Sequence, residues 1–181
     1  MTRSVHLPPW RIDLTTRDGV PRVVSGAALA RAMARALDAA GAPSPASLGL
    51  VLADDRELAA LNAAHMGMAG PTDVLSFPLL APEAYPPHAG RTHGVVGAPA
   101  PRFVLPPGRR THLGDVVVSV ERAVVQAEAG RGGHTGDVHW SPADELRLLV
   151  IHGTLHVCGW DHVEPAEETA MRALERRLLD Q

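Results

Sequence analysis

Apolar positions recur along the chain in two rhythms, near two residues and near three and a half, and their alternation outlines the elements. Residues 5–24 alternate apolar and polar positions around turn signals such as Asp18-Gly19, which predicts one or two early strands. Ser25 stands where an N-cap is expected. Leu29, Met33 and Leu37 then form a helical stripe to about residue 40, with Gly41 as the stop. Residues 48–53 are a short apolar run and predict a buried strand. Asp54 followed by Glu57 opens a helix of capping-box type, with Leu58 and Leu61 facing inward. Residues 73–79, ending at Pro78, and the valine-rich 113–119 predict two more strands. A helix follows from about Ser119 to Ala129 and closes at Gly130.

The stretch between those last two strands is different. Residues 79–112 hold seven prolines, several glycines and His88, His93 and His112, with no sustained period, which predicts an irregular insert. A Gly-rich loop at 130–136 precedes a helix with Ser141 as N-cap, Pro142 at its first position and Asp144 and Glu145 in its first turn. That helix is expected to run to about Cys158, and a last one to span about 165–179. No internal repeat is visible.

Composition narrows the class. A chain of 181 residues, 45% hydrophobic and 20% charged, suits one globular domain and is long enough to bury a core without staples. The single cysteine, Cys158, excludes an internal disulfide framework and fits a reducing, cytoplasmic setting. The N-terminus lacks an apolar signal region, and no stretch reaches the roughly 18 apolar residues of a membrane span, so no membrane partner is expected. All 17 basic residues are arginine, so any anion contact is a guanidinium fork. A net charge of −3 argues against coating of nucleic acid, while leaving room for a local basic cleft.

The chemistry concentrates in IHGTLHVCGWDH, residues 151–162. His152 and His156, four apart on a helix, lie on one face within about 40° of each other. Gly159 suits the left-handed turn that ends the helix, after which His162 can return to the same point. Three imidazoles with a fourth vertex left to water describe a catalytic-type zinc site at the C-terminal end of a helix. Cys158 is about 200° round the helix from His156 and reads as a core thiol. A single histidine on such a face is more often a satisfied core residue; the third at this spacing is what favours the metal. The spacing also matches the metzincin protease motif, H-E-x-x-H-x-x-G-x-x-H, but Gly153 replaces its glutamate, so peptide hydrolysis lacks its proton acceptor.

The segment HGTLHVCGWDH resembles the H-G-x-L-H-x-x-G-[YW]-D-H signature of the YbeY family of bacterial endoribonucleases. Leu61-Asn62, the run PTDVLSFP at 71–78, Leu113-Gly114-Asp115 with Ser119, Glu145-Leu146, and Met171 with Glu175 fit the family in order, and the match covers most of residues 48–178. The resemblance implies a compact α+β fold, a small mixed sheet packed with about five helices. It implies one zinc on His152, His156 and His162, and cleavage of rRNA precursors at the 3′ end of 16S rRNA, with ribosomal proteins or the small subunit as partners. It departs at Met66, where the family carries an arginine in an N-x-x-[YF]-R pattern, and in the length of the 79–112 insert. The Met66 departure sustains an alternative, a non-catalytic ribosome assembly factor that keeps zinc for stability.

Beyond the histidines, Asp161 is a candidate to orient an imidazole or to cap the turn, and Asp115, with Asp73, to line the cleft or to pair with arginine or backbone amide. Thr72 and Ser119 are candidate phosphate contacts or helix caps. Arg31 and Arg35, four apart on the first helix, form either a solvated face or an RNA contact. Trp160 reads as packed rather than stacking on a base.

Overall fold

Alternating apolar residues on a central five-stranded sheet separate a large core from a small one. The computed structural model describes residues 2–90, 110–130 and 141–180. Strands β1 (Thr2–Leu7), β2 (Trp10–Thr16), β3 (Ala46–Ala53), β4 (Val74–Pro78) and β5 (Thr111–Ser119) lie in the order β1-β2-β3-β5-β4. β2, β3 and β5 run parallel, and β1 and β4 close the edges antiparallel, which makes the sheet mixed. Helices α1 (Gly26–Ala39), α2 (Asp55–Met66), α3 (Val120–Glu128), α4 (Pro142–Val157) and α5 (Pro165–Leu179) complete one α+β domain. No helix among the described residues is long and apolar enough to cross a membrane.

Period-two alternation assigns the faces. Ile12, Leu14, Leu48, Leu50, Leu52, Val116 and Val118 pack with Leu29, Met33 and Leu37 of α1 and with α4. The opposite face carries Ala53, Leu75 and Val117 against Leu58 of α2. Helix α4 is apolar nearly all round, with Leu146, Leu148, Leu149, Val150, Ile151, Leu155 and Val157 buried, as a central helix must be. It sits close to β4 and β5 at Gly153, where a Cβ would stand 2.6 Å from Val116 and 2.9 Å from Val74. No glutamate fits there; the absence of the protease base has a packing cause. Ser76 Oγ donates to the Gly153 carbonyl at 2.9 Å and fixes the approach.

Several boundaries differ from the sequence expectation. The early alternation resolves into a hairpin turning at Pro8-Pro9, while Asp18-Gly19 follows β2 and leads toward α1. β3 begins at Ala46, and β5 at Thr111 inside the expected insert, because Thr111 and His112 pair with Ala46 and Ser47. The start of that insert holds a short turn of helix at Pro82–Ala84 and the buried Tyr85. Residues 91–109 of the insert, and the glycine-rich loop from 131 onward, lie outside the described residues.

Candidate metal centre

Ser141 caps α4 with a complete capping box, its side chain accepting from Asp144 N at 3.2 Å while Asp144 Oδ2 accepts from Ser141 N at 3.3 Å. The far end of the same helix carries the chemistry. Gly159, at φ 81°, ends α4 with bonds from Gly159 N to the His156 carbonyl and from Trp160 N to the Leu155 carbonyl, both 3.0 Å. This reversal brings the Trp160 carbonyl back over the helix, where it accepts from His156 Nδ1 at 2.9 Å. The turn that ends the helix therefore also orients one imidazole.

His152 is held from another element. Its Nδ1 lies 2.7 Å from Glu175 Oε1, a carboxylate on the buried stripe of α5 beside Met171, Leu174 and Leu178. A carboxylate and a carbonyl only accept, so both Nδ1 atoms carry the proton and both Nε2 atoms present lone pairs. Those two Nε2 atoms face each other at 3.0 Å. Two acceptors at that separation repel unless a positive charge lies between them. His162 completes the group: its ring centroid is 5.4 Å from that of His152 and 5.0 Å from that of His156. One ligand atom from each of the three lies within 4.8 Å of the others. Nitrogen-to-metal bonds of about 2.1 Å fit such a triangle. The residues suit a divalent cation, and the donor set leaves one side to the cleft.

Burial, reinforced by the neighbouring His152 and His162, pushes the His156 imidazole down to about 4 in the absence of a cation. It is held neutral, the state a metal ligand needs. The Cys158 thiol is buried in the core and pushed up to about 12 by that burial, so it has no part in the site.

The histidines open onto a cleft of about 860 Å³ walled by the end of α2, the entry to β4, the turn after α4 and one face of α5. Thr72 and Asp161 line it, as does Asp73. Thr72 Oγ1 donates to Asp73 Oδ1 at 3.2 Å, and the other oxygen of Asp73 accepts from Gln126 Nε2 at 3.0 Å. Asp161 bonds to backbone: its Oδ1 accepts from His162 N at 2.8 Å, and its own N donates to the Gly90 carbonyl at 2.9 Å. It shapes the turn that presents the third histidine. Trp160 is buried and stacks on His88, ring centroids 4.2 Å apart.

Other sequence candidates lie elsewhere. Asp115 pairs with Gly49 and Phe77 on the α2 face of the sheet, beside His112 at 3.5 Å and away from the histidines. The period-two strand that makes Val116 face α4 forces Asp115 to the other side. Ser119 is buried as the cap of α3, accepting from Arg122 N and donating to Asp55 Oδ1 at 2.6 Å. Arg31 and Arg35 are on α1 and do not line the cleft. The family resemblance placed Glu175 in order but gave it no role; its part as the partner of His152 comes from the packing of α5, where it is buried on the core-facing side together with Glu167.

As a class, the molecule is an α+β domain whose open cleft carries a candidate three-imidazole cation site. The family model described as Endoribonuclease YbeY matches residues 18–181, and the chain belongs to that family of endoribonucleases. "Endoribonuclease YbeY" of Salinispora tropica is 42% identical over 144 residues, covering 80% of this chain and 79% of the relative. The protein of the same name in Thermobifida fusca is 39% identical over 168 residues, 93% of this chain and 91% of its own. A solution structure of TM1509 from Thermotoga maritima aligns with 94% of this chain and 87% of its own at 21% identity and a TM-score of 0.47.

Proposed function

We propose that the chain is a zinc-dependent endoribonuclease that cleaves single-stranded RNA in the cytoplasm. Its expected substrate is the small-subunit rRNA precursor, at the 3′ end of 16S rRNA and in ribosome quality control, with ribosomal proteins or the small subunit as partners. One observation carries the reading: two imidazoles locked by Glu175 and the Trp160 carbonyl turn their lone pairs, with His162 beside them, toward an open cleft. Family membership supports RNA as the polymer.

His152, His156 and His162 would hold the ion. Such an ion would supply Lewis acidity for phosphodiester hydrolysis and would acidify water bound to it. Glu175 and the Trp160 carbonyl fix the tautomers that leave Nε2 available. Asp161 holds the backbone of His162 in place, and Thr72 offers a hydroxyl at the cleft wall for a phosphate oxygen.

The test is incubation of single-stranded RNA with the purified protein, with and without chelator, beside a His156→Ala variant. Cleavage that chelation and the substitution both abolish supports the reading. Cleavage surviving both belongs to a contaminant. Zinc content without any cleavage favours the non-catalytic assembly factor instead.

A further inference from the structure

We infer that Arg172 is the phosphate-binding residue of the cleft and that Glu168 competes with the phosphate for it; the inference rests on the endoribonuclease reading above.

The cleft wall is acidic. Asp73, Asp161, Glu168 and Glu175 all line it, and Arg172 is the one arginine lining it among the described residues. A polyanionic strand meets repulsion from four carboxylates, and besides a cation on the imidazoles its main attraction is this guanidinium. The wall at the end of α2 offers no charge, since Met66 and Met68 stand there, exposed. Arg31 and Arg35 lie outside it.

Position supports the role. Arg172 and Glu175 are three apart on α5, so their side chains emerge about 4.5 Å apart along the axis and about 60° apart around it. Because Glu175 grips His152, Arg172 is set beside the metal ligands by the same helical turn. Its Nη2 lies 2.6 Å from Glu168 Oε1, with both side chains more than a third exposed. An ion pair so open to water is weak. A guanidinium has five N–H donors in a fork that matches a phosphate's oxygens, so a strand can displace Glu168 at little cost. Glu168 then fixes the fork over the cleft when no strand is present.

The experiment is fluorescence anisotropy with metal-loaded protein and a short single-stranded RNA made uncleavable by 2′-O-methyl and phosphorothioate substitution, titrated at several salt concentrations. Arg172→Gln is expected to weaken binding roughly fivefold for every sequence tried and to lower the salt slope by about 0.7, one phosphate contact on a single strand. Arg172→Lys falls between, keeping the charge without the fork. Glu168→Gln is expected to tighten binding roughly twofold, an increase that damage to the fold would not give. Arg176→Gln removes the same charge from the exposed side of α5 and is expected to leave affinity within twofold. Unchanged affinity and slope in Arg172→Gln, or equal weakening by Arg176→Gln, overturns the assignment. If the wild-type chain cleaves RNA while Arg172→Gln binds normally, this inference alone falls. If the wild-type chain neither binds nor cleaves RNA, the functional reading falls and takes Arg172 with it.

Discussion

Glu175 Oε1 accepts a hydrogen bond from His152 Nδ1 at 2.7 Å across 23 residues of sequence, tying the last helix to the metal centre. Glu175 is 5% exposed, and a carboxylate that deep is tolerated only because it is hydrogen-bonded. The bond fixes which nitrogen of His152 carries the proton, and so which one faces the cleft. Glu175→Gln keeps the shape and removes the charge that strengthens His152 as a donor. We expect its zinc affinity to fall by about 10- to 100-fold, as for other partners of metal-bound histidine. Competition against a chromogenic chelator measures this; an unchanged affinity would show that the contact does not support the site.

The pH response of the metal-free protein follows from His156, whose imidazole is held near 4 against an ordinary 6.5. The folded value is depressed, so below about pH 6.5 the unfolded chain takes up a proton that the folded chain refuses. Stability therefore falls as pH drops from 6.5 toward 4 and levels off below. At about 1.4 kcal/mol per unit the loss approaches about 3 kcal/mol. Urea unfolding of chelated protein at pH 7 and pH 5, beside His156→Gln, isolates the contribution. Equal pH dependence in the two proteins would assign it to other groups. Added zinc is expected to raise stability and to steepen its fall as pH drops, because binding requires neutral imidazoles and is lost as they take up protons.

How much of this was legible in sequence depends on whether the cause is local. The α4 start is written in Ser141, Pro142 and Asp144, and its end in Gly159, so the spacing of His152, His156 and His162 carries their convergence with it. The core stripe of α1 is local in the same way. Strand β1 is local only in its second half: Val5 and Leu7 alternate and pack half-buried against the core, while residues 2–4 are exposed and only pairing with β2 defines them. Which way Arg31, Arg35 and Asp115 face is likewise a tertiary matter. Correct spacing on α1 says nothing about which helix borders the cleft, and one residue of strand register decides whether position 115 or 116 faces α4. Glu175 and Arg172 reach the site only because α5 packs beside α4, a contact that no local pattern announces.

Gly153 tests the close approach of α4 to the sheet. A methyl there must displace Val116 or Val74, whose side-chain atoms stand 2.6 Å and 2.9 Å away, and must disturb the Ser76 bond to the Gly153 carbonyl. Ala is the better helix former by about 1 kcal/mol, so on an unconstrained helix the change would stabilise. Here overpacking of about 1–3 kcal/mol is expected to outweigh that gain. Gly153→Ala should lower the urea midpoint, and Gly153→Ala combined with Val116→Ala should recover part of the loss by opening space. A midpoint at or above the wild-type value would mean that the helix does not press on the sheet there.

Cys158 supplies a probe of the same core that is independent of the metal. It is the chain's one cysteine, fully buried at the end of α4, and burial holds its thiol up near 12. Thiolate, the reactive form, is therefore scarce in the folded protein at pH 8, and reagent has no path to it. An aromatic disulfide reagent is expected to react at pH 8 only at the rate at which the chain opens, and completely in denaturant. Since the turn after Cys158 presents His162, zinc should slow that opening and chelation should speed it. Immediate stoichiometric labelling of folded, zinc-loaded protein would contradict the packing of this helix end, and with it the geometry that brings His162 to the other two imidazoles.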